Sequence, residues 1–271
     1  MNALSVNQLS TLRWTLEEDV VAYREHGFDG IGIYRPKLDE AGIDKAVELL
    51  AENEMHVTSL SWAGGFTGSE GIDLELSISD AIAAVRDAAT LRASTLLVLA
   101  GGRNNHIHSH VRNTLCKSLQ EVASAAENYG VNLALEPIHP GCGKEWSFVN
   151  DMQAAMEVIE KVDSPNLGLT LDTYHIGMDE NWLRWLPEVL PYVRLVQFGD
   201  GRHTPLGEMN RCLLGEGCID LQSFYQKLHE LGFDGPIEVE LIGEDLEELS
   251  YESILKTSHE FFGEMKLSLV N

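Results

Sequence analysis

Short apolar runs alternate with amphipathic stretches along the whole chain. Eight of these runs predict β-strands, over residues 3–7, 30–34, 56–60, 95–100, 132–137, 166–172, 193–198 and 236–241. Within the runs the apolar positions are mostly consecutive, which is typical of strands whose two faces are both covered. The segments between the runs are long enough for helices, so the pattern predicts a parallel sheet with helices packed around it.

Two of the intervening segments show helical spacing clearly. In the first, apolar residues recur every three or four positions, at Val111, Leu115, Leu119, Val122 and Ala126. In the second, similar spacing follows Asp220, an N-cap candidate, at Leu221, Phe224, Leu228 and Leu231. This spacing places each set on one face of a helix, as expected for helices that cover a sheet.

An internal similarity indicates repeated units. The segment HGFDGIGIY (26–34) resembles LGFDGPIEVEL (231–241): in both, a glycine ends a helix, an aromatic residue follows, and Asp-Gly leads into a strand. Eight strands with helices between them predict an α/β fold, a single-domain (β/α)8 TIM barrel over residues 1–271, with a doubly wound open sheet as the alternative. No linker or low-complexity tract divides the chain.

Four of the predicted strands end on a side chain that can bind a divalent cation. Glu136 lies in LALEP, Asp172 in LTLDTYH, Gln197 in LVQFGD and Glu240 in IEVEL. The carboxyl ends of barrel strands meet at one face, where neighbouring strands are about 5 Å apart. Three carboxylates and one amide oxygen therefore predict one divalent metal ion. Hard oxygen ligands favour Mn²⁺ or Mg²⁺, with Co²⁺ or Zn²⁺ as alternatives.

The segments LALEPIHP, NLGLTLDTYHIG and LGEGCIDLQSFYQKLHELGFDGPIEVEL resemble the xylose-isomerase-like barrel family, in particular its inosose isomerases and ketose 3-epimerases. The resemblance implies a metal-dependent isomerase or epimerase acting on a sugar, keto-sugar or cyclitol. It also implies proton transfer through an enediolate, with Glu136 and Glu240 as acid and base. Where this chain has Gln197, the family usually has a histidine ligand. A lyase that dehydrates a keto-sugar or inosose on the same metal site is the alternative.

Four more residues are predicted to contact the substrate. The resemblance implies that His175, three residues after Asp172, faces the pocket, with a structural histidine as the alternative. Arg211, in the long segment 199–219, is the predicted pocket cation, with a substrate hydroxyl, a carboxylate or the second carboxylate shell as its partner and a surface arginine as the alternative. Trp62 is predicted to form an apolar wall against a sugar ring, and His139 to lie at the pocket rim; core packing and a structural role are the respective alternatives.

The composition of the chain narrows the classes of partner and activity. The chain has 19 basic and 43 acidic residues and a net charge of −24. Such a surface repels phosphate backbones, which argues against a nucleic-acid partner and against the apurinic endonuclease activity that also occurs in the family. The three intact carboxylates argue against a non-catalytic sugar-binding barrel.

The sequence also carries expectations about location and assembly. No segment is apolar enough to span a membrane, and the four cysteines show no CxxC spacing. We therefore expect a cytoplasmic protein with reduced thiols. The family resemblance implies a small sugar or polyol as its substrate. Because members of the resembling family often form dimers or tetramers, a homo-oligomer is a further expectation.

Overall fold

All eight predicted strands are present. The computed structural model describes residues 4–68, 71, 73–179, 181–207 and 209–269, so residue 3 of the first predicted strand lies outside the described residues. The strands are β1 (Leu4–Asn7), β2 (Gly30–Tyr34), β3 (His56–Gly64), β4 (Thr95–Leu99), β5 (Asn132–Leu135), β6 (Leu167–Asp172), β7 (Val193–Phe198) and β8 (Ile237–Val239).

The strands form one closed parallel barrel in chain order. β8 pairs with β1, with Ser5 opposite Glu238. This closure confirms the predicted (β/α)8 barrel and rules out the open sheet. β5 ends two residues earlier than predicted, at Leu135, shortly before Pro137, whose nitrogen has no hydrogen to donate to a neighbouring strand.

Helices follow the strands around the outside of the barrel. They are α1 (Leu16–Glu25), α2 (Arg35–Ala41), α3 (Ile43–Glu52), α4 (Leu74–Leu91), α5 (His108–Tyr129), α6 (Met152–Val162), α7 (Thr173–Ile176), α8 (Trp182–Val189), α9 (Leu221–Glu230) and α10 (Tyr251–Ser268). Among the residues that the structure describes, no helix combines the length and apolar character needed to cross a membrane.

Both segments with predicted helical spacing form helices, α5 and α9. All five spaced apolar residues of α5 are buried. In α9, Leu221, Phe224 and Leu228 are buried, and the Asp220 carboxylate accepts a hydrogen bond from the Ser223 backbone nitrogen at 3.0 Å. The apolar face and the N-cap thus fix this helix against the barrel in the way its sequence predicts.

A polar layer lies inside the barrel below its C-terminal mouth. Glu238 on β8 is fully buried and accepts hydrogen bonds from Thr58 Oγ1 at 2.7 Å and Asn7 Nδ2 at 3.1 Å. Gly32 on β2 leaves room for this carboxylate, because a Cβ atom there would lie 2.8 Å from its oxygens. Glu238 is therefore enclosed in the barrel, while Glu240, two residues later, lines the cavity at the mouth.

The long segment between β7 and α9 is organised by Asp200, a fully buried carboxylate. It accepts hydrogen bonds from four backbone N–H groups, those of Gly201, Gly215, Gly217 and Ile219. A Cβ atom at Gly217 would lie 2.0 Å from Asp200 Oδ1, so only glycine permits this approach. Asp200 thereby fixes the segment that carries Arg211.

Candidate active site

Three predicted side chains converge at the barrel mouth: Glu136, Asp172 and His175. Glu136 directly follows β5, Asp172 is the last residue of β6, and His175 lies in α7. His175 Nε2 is 3.7 Å from Glu136 Oε1 and 4.0 Å from Asp172 Oδ2. Within the described part of the chain, these three form the group of His, Cys, Asp and Glu side chains whose potential ligand atoms all lie within 4.8 Å of one another. They form a buried candidate metal centre.

The sequence after β6 sets the direction of the Asp172 and His175 side chains. Asp172 is the N-cap of α7, and its Oδ1 accepts a hydrogen bond from the Tyr174 backbone nitrogen at 2.8 Å. This one-turn helix places His175 beside the carboxylate. Asp172 therefore uses one oxygen to start the helix and presents the other to the centre of the site.

Gln197 lies between Asp172 and Glu240. In the sheet register Gln197 on β7 is opposite Asp172 on β6. Its Nε2 donates hydrogen bonds to Glu240 Oε2 at 2.6 Å and to Glu238 Oε2 at 3.3 Å. Its amide oxygen is buried and has no hydrogen-bond partner among the described residues. That oxygen is the atom through which Gln197 would ligate a metal.

Arg211 joins Asp172 to Glu240 from behind the site. The side chain is fully buried, and its Nη2 lies 2.8 Å from both Asp172 Oδ2 and Glu240 Oε1. Its Cζ is 4.7 Å from the centre of the Tyr174 ring. Burial disfavours the charged guanidinium, but Asp172 and Glu240 outweigh burial and raise the pKa of Arg211. Of the roles predicted for Arg211, the contact with carboxylates is present; Arg211 is not among the described residues that line the mouth cavity, and a contact with substrate stays a prediction.

The buried charges of this site do not balance. Three carboxylates (Glu136, Asp172 and Glu240) face the single guanidinium of Arg211, a net charge of −2 when all are ionised. Burial, followed by the charges of Asp172 and Glu240, raises the pKa of Glu136 well above its ordinary value. Burial is also the main cause that raises the pKa of Glu240 to about 8. Because isolated buried charge is costly, the residues present fit a divalent cation.

His175 is in the protonation state that metal binding requires. Burial lowers the pKa of its imidazole to about 4, so the ring is neutral near pH 7. Its Nδ1 lies 3.5 Å from Cys142 Sγ, and burial raises the pKa of this thiol to about 12. In a neutral imidazole one nitrogen carries the hydrogen and the other has a free lone pair that can bind a metal. The contact of Nδ1 with Cys142 influences which of the two nitrogens carries the hydrogen.

A cavity of about 200 Å³ opens at the barrel mouth, and Glu136, His175 and Glu240 all line it. Trp62 also lines this cavity, which is the position needed for the apolar wall that we predicted it to form. Its ring centre is 5.6 Å from that of Tyr34 and 5.3 Å from that of Trp146. The charged groups of the site therefore share one space with a continuous aromatic surface.

His139 lies beside the site but on a different cavity. It lines a neighbouring space of about 220 Å³, which His175 lines as well. His139 Nδ1 accepts a hydrogen bond from the Gly141 backbone nitrogen at 3.0 Å, and burial lowers the pKa of its imidazole. We predicted His139 at the rim of the pocket. In the structure it lines the adjoining cavity and is not among the described residues that line the mouth cavity.

Two residues near the centre, Tyr34 and Cys142, were not predicted from the sequence, and a third, Trp146, was left open between an apolar wall and core packing. Tyr34 ends β2, and the other two lie in the segment that follows Glu136. The rule that barrel sites form at the carboxyl ends of strands would have pointed to all three. The described cysteines are all unpaired, as their spacing predicts.

Comparison with known proteins identifies one matching family and relatives that are named as sugar or inosose isomerases and epimerases. A protein family described as the xylose isomerase-like TIM barrel matches residues 20–265. An inosose isomerase of Bacillus velezensis is 26% identical over 269 residues, which cover 95% of this chain and 94% of that protein. A ketose 3-epimerase of Arthrobacter globiformis is 31% identical over 119 residues, 44% of this chain and 38% of that protein.

Two solved structures share the fold over almost their whole length. A protein from Sinorhizobium meliloti 1021 aligns with a TM-score of 0.89 at 25% identity, covering 97% of this chain and 98% of that one. The IOLI protein with a bound zinc atom aligns with a TM-score of 0.85 at 23% identity, covering 98% and 99% of the two chains. The second similarity demonstrates the fold alone.

Proposed function

Because this chain belongs to the xylose isomerase-like TIM barrel family, we propose that it is a divalent-metal-dependent isomerase or epimerase. Its substrate is a sugar, keto-sugar or cyclitol, and the reaction moves a proton on a carbon next to a carbonyl, through an enediolate. The names of two curated relatives, an inosose isomerase and a ketose 3-epimerase, support this type of reaction.

The observation that carries the proposal is the pair of buried carboxylates on one cavity. Glu136 and Glu240 directly follow β5 and β8, are each 6% exposed, and line the same space. Both have raised pKa values, chiefly because of burial. A raised pKa makes a carboxyl group easier to protonate, which suits it to give as well as take a proton in general acid–base catalysis.

The cation would be held by Glu136, Asp172, His175 and Glu240, with the free amide oxygen of Gln197 as a further proposed ligand. When bound, it would polarise the substrate carbonyl and stabilise the negative charge that forms on its oxygen. The oxygen ligands favour Mn²⁺ or Mg²⁺, and the imidazole also admits Co²⁺ or Zn²⁺. The zinc atom in the structure of the IOLI protein supports the wider range.

Glu240 is the proposed base, and its surroundings hold it in one orientation. Arg211 Nη2 donates to one carboxylate oxygen at 2.8 Å, and Gln197 Nε2 donates to the other at 2.6 Å. Glu136 is the proposed acid, which returns a proton to the enediolate. His175 Nε2 points toward Glu136 and Asp172, where it is placed to bind the ion. If the carboxylates alone hold the ion, His175 would instead contact an oxygen of the substrate.

The test is proton exchange in heavy water. The Mn²⁺-loaded protein would be incubated with a panel of ketoses and inososes, and deuterium incorporation next to the carbonyl would be followed by NMR. We expect exchange with at least one member, and we expect Glu240→Gln to slow it by about 10²–10⁴-fold. Mn²⁺ affinity would be measured for each variant, so that loss of the base is separated from loss of the ion.

The control is Glu160→Gln, a change at an exposed carboxylate on the outer helix α6, which should leave exchange unchanged. Exchange by Glu240→Gln at the wild-type rate would refute the role of Glu240 as base. A product that has lost water would replace the isomerase proposal with the dehydratase alternative. No exchange with any member of the panel would count against the reaction type itself.

A further inference from the structure

The polar groups of the mouth cavity are concentrated at its reactive end. Of the 14 described residues that line it, only Ser61, Glu136, His175 and Glu240 are not aliphatic, aromatic or methionine. Ser61 Oγ already donates to the backbone oxygen of Ile33, at 3.3 Å. A ligand therefore meets hydrogen-bonding side chains near the proposed reacting carbons and mostly apolar surface elsewhere.

One side of the cavity is a wall of three aromatic rings. Tyr34, Trp62 and Trp146 come from β2, β3 and the segment after β5, and successive ring centres are 5.6 and 5.3 Å apart. The Trp62–Trp146 pair meets edge to face, with an interplanar angle of 82°. Such contacts restrain each ring, so the wall presents fixed apolar ring faces, with the Tyr34 hydroxyl and the two indole N–H groups as its polar atoms.

A second side is aliphatic. Leu97, Leu99 and Ile138 line the cavity and belong to a buried apolar cluster in the barrel that is separate from the main core. These side chains are at most 6% exposed. They offer a ligand close apolar contact and no hydrogen bonds.

Arg35, the residue after Tyr34 of the aromatic wall, is bound by other groups and is not among the described residues that line the cavity. Arg35 donates to the Trp62 backbone oxygen at 3.1 Å and forms two hydrogen bonds with the Asp80 carboxylate, at 2.8 and 2.7 Å. The Tyr34 hydroxyl and the two indole N–H groups are then the side-chain hydrogen-bond partners that the described walls offer to the remote part of a fully hydroxylated sugar. A buried hydroxyl without a partner weakens binding, whereas an apolar group at the same place strengthens it.

We propose that the substrate is a keto-sugar or related hydroxyketone whose part remote from the reacting carbons is apolar, either deoxygenated or carrying an alkyl or aryl group. This inference rests on the proposed proton-transfer function and narrows its substrate class. The hydroxy-carbonyl end lies against Glu136, His175 and Glu240, and the apolar end packs on the aromatic and aliphatic walls.

The test compares matched substrates in the deuterium-exchange assay with the Mn²⁺-loaded protein. One pair is a ketohexose and its 6-deoxy analogue; a second is a hydroxyketone with and without a phenyl substituent. We expect kcat/KM for exchange to be about 10–100-fold higher for the apolar member of each pair. Equal or faster exchange with the fully hydroxylated member would overturn the inference and leave the proton-transfer proposal standing. Exchange with no compound would refute both.

Two variants probe the walls directly. Leu99→Asn introduces a hydrogen-bonding group of similar size and should shift the preference toward the hydroxylated ketohexose by about tenfold. Leu206→Asn is the matched control, because Leu206 is 88% exposed and is not among the described residues that line the cavity. Trp146→Ala, at a partly exposed position that should tolerate truncation, should reduce the preference for the phenyl compound. An unchanged preference in both wall variants would contradict the assignment.

Discussion

Gln197 Nε2 donates a 2.6 Å hydrogen bond to Glu240 Oε2, between neighbouring strands of the closed barrel. The amide nitrogen orients the proposed base, and the amide oxygen stays buried without a partner among the described residues. Gln197 therefore has two separable roles: its nitrogen positions a carboxylate, and its oxygen is available to a cation.

Replacing Gln197 by histidine should tighten metal binding. An imidazole nitrogen binds transition metals more strongly than an amide oxygen, so we expect the Kd for Mn²⁺ or Zn²⁺ to fall about tenfold in Gln197→His. Calorimetric titration after removal of metal with a chelator measures this. Gln226→His, at an exposed position on α9, is the control. An unchanged Kd in Gln197→His would show that position 197 does not contact the ion.

Removing Arg211 should destabilise the metal-free protein strongly. Arg211→Met leaves Asp172 and Glu240 buried without their cation, which we expect to cost about 3–5 kcal/mol of unfolding free energy. Arg202→Met is the matched control in the same segment, because Arg202 pairs with Glu216 and Asp245 at the exposed surface. Urea unfolding in the presence of a chelator compares the two. A similar decrease in the free energy of unfolding in both variants would mean that the buried Arg211 ion pairs stabilise the protein no more than the exposed Arg202 pairs do.

Glu238 should make the stability of the metal-free protein depend on pH. Burial raises its pKa above the ordinary value of 4.5. The folded state therefore holds its proton more tightly than the unfolded state does. The resulting stability is fully present below pH 4.5 and is lost as the pH rises through the folded-state pKa.

Glu238→Gln removes this titration. The free energy of unfolding of the variant, minus that of the wild type, should increase as the pH rises from 4.5 toward 8. Thermal or urea unfolding in chelator at several pH values measures the difference, with the exposed Glu160→Gln as control. A difference that is flat across this range, or that falls with pH, would contradict the shifted pKa.

The contact of 3.5 Å between Cys142 Sγ and His175 Nδ1 should matter for metal binding. If His175 ligates through Nε2, its Nδ1 must carry the hydrogen, and the sulfur is its partner. Cys142→Ala should weaken Zn²⁺ or Mn²⁺ binding by about 10–100-fold, and Cys142→Ser, which keeps an acceptor, should restore most of it. Cys116→Ala, a buried free cysteine on α5, controls for lost packing. Equal affinity in wild type and Cys142→Ala would remove this role.

The strands and the convergence of carboxylates could be predicted because they depend on periodicity and topology. Continuous apolar runs mark strands covered on both faces, and parallel strands bring their carboxyl ends to one mouth whatever the loops do. Glu136, Asp172 and Glu240 therefore reach the same site from three distant segments. Positions two apart share a strand face at different depths, and the match of VEL to the family pattern favours Glu240 over Glu238; in the structure Glu240 lines the mouth cavity and Glu238 is fully buried.

The directions of the polar side chains could not be predicted in this way. The sequence left open whether Arg211 binds substrate or carboxylates. The Asp200 carboxylate fixes its segment, and the guanidinium contacts Asp172 and Glu240. The amide orientation of Gln197 depends on two glutamates from another strand. Tyr34 and Trp62 meet on the paired strands β2 and β3, and Trp146 reaches them from the segment after β5; no local spacing in the sequence indicates this contact.

The most direct test is the location of a bound ion. Crystals of the protein soaked in Mn²⁺ would be measured for anomalous scattering. We predict one strong peak per chain within bonding distance of the Glu136 and Asp172 carboxylates and His175 Nε2, and its loss in Asp172→Asn. A wild-type crystal with no peak at the barrel mouth, or with its strongest peak elsewhere on the chain, would contradict the metal centre on which the proposed reaction depends.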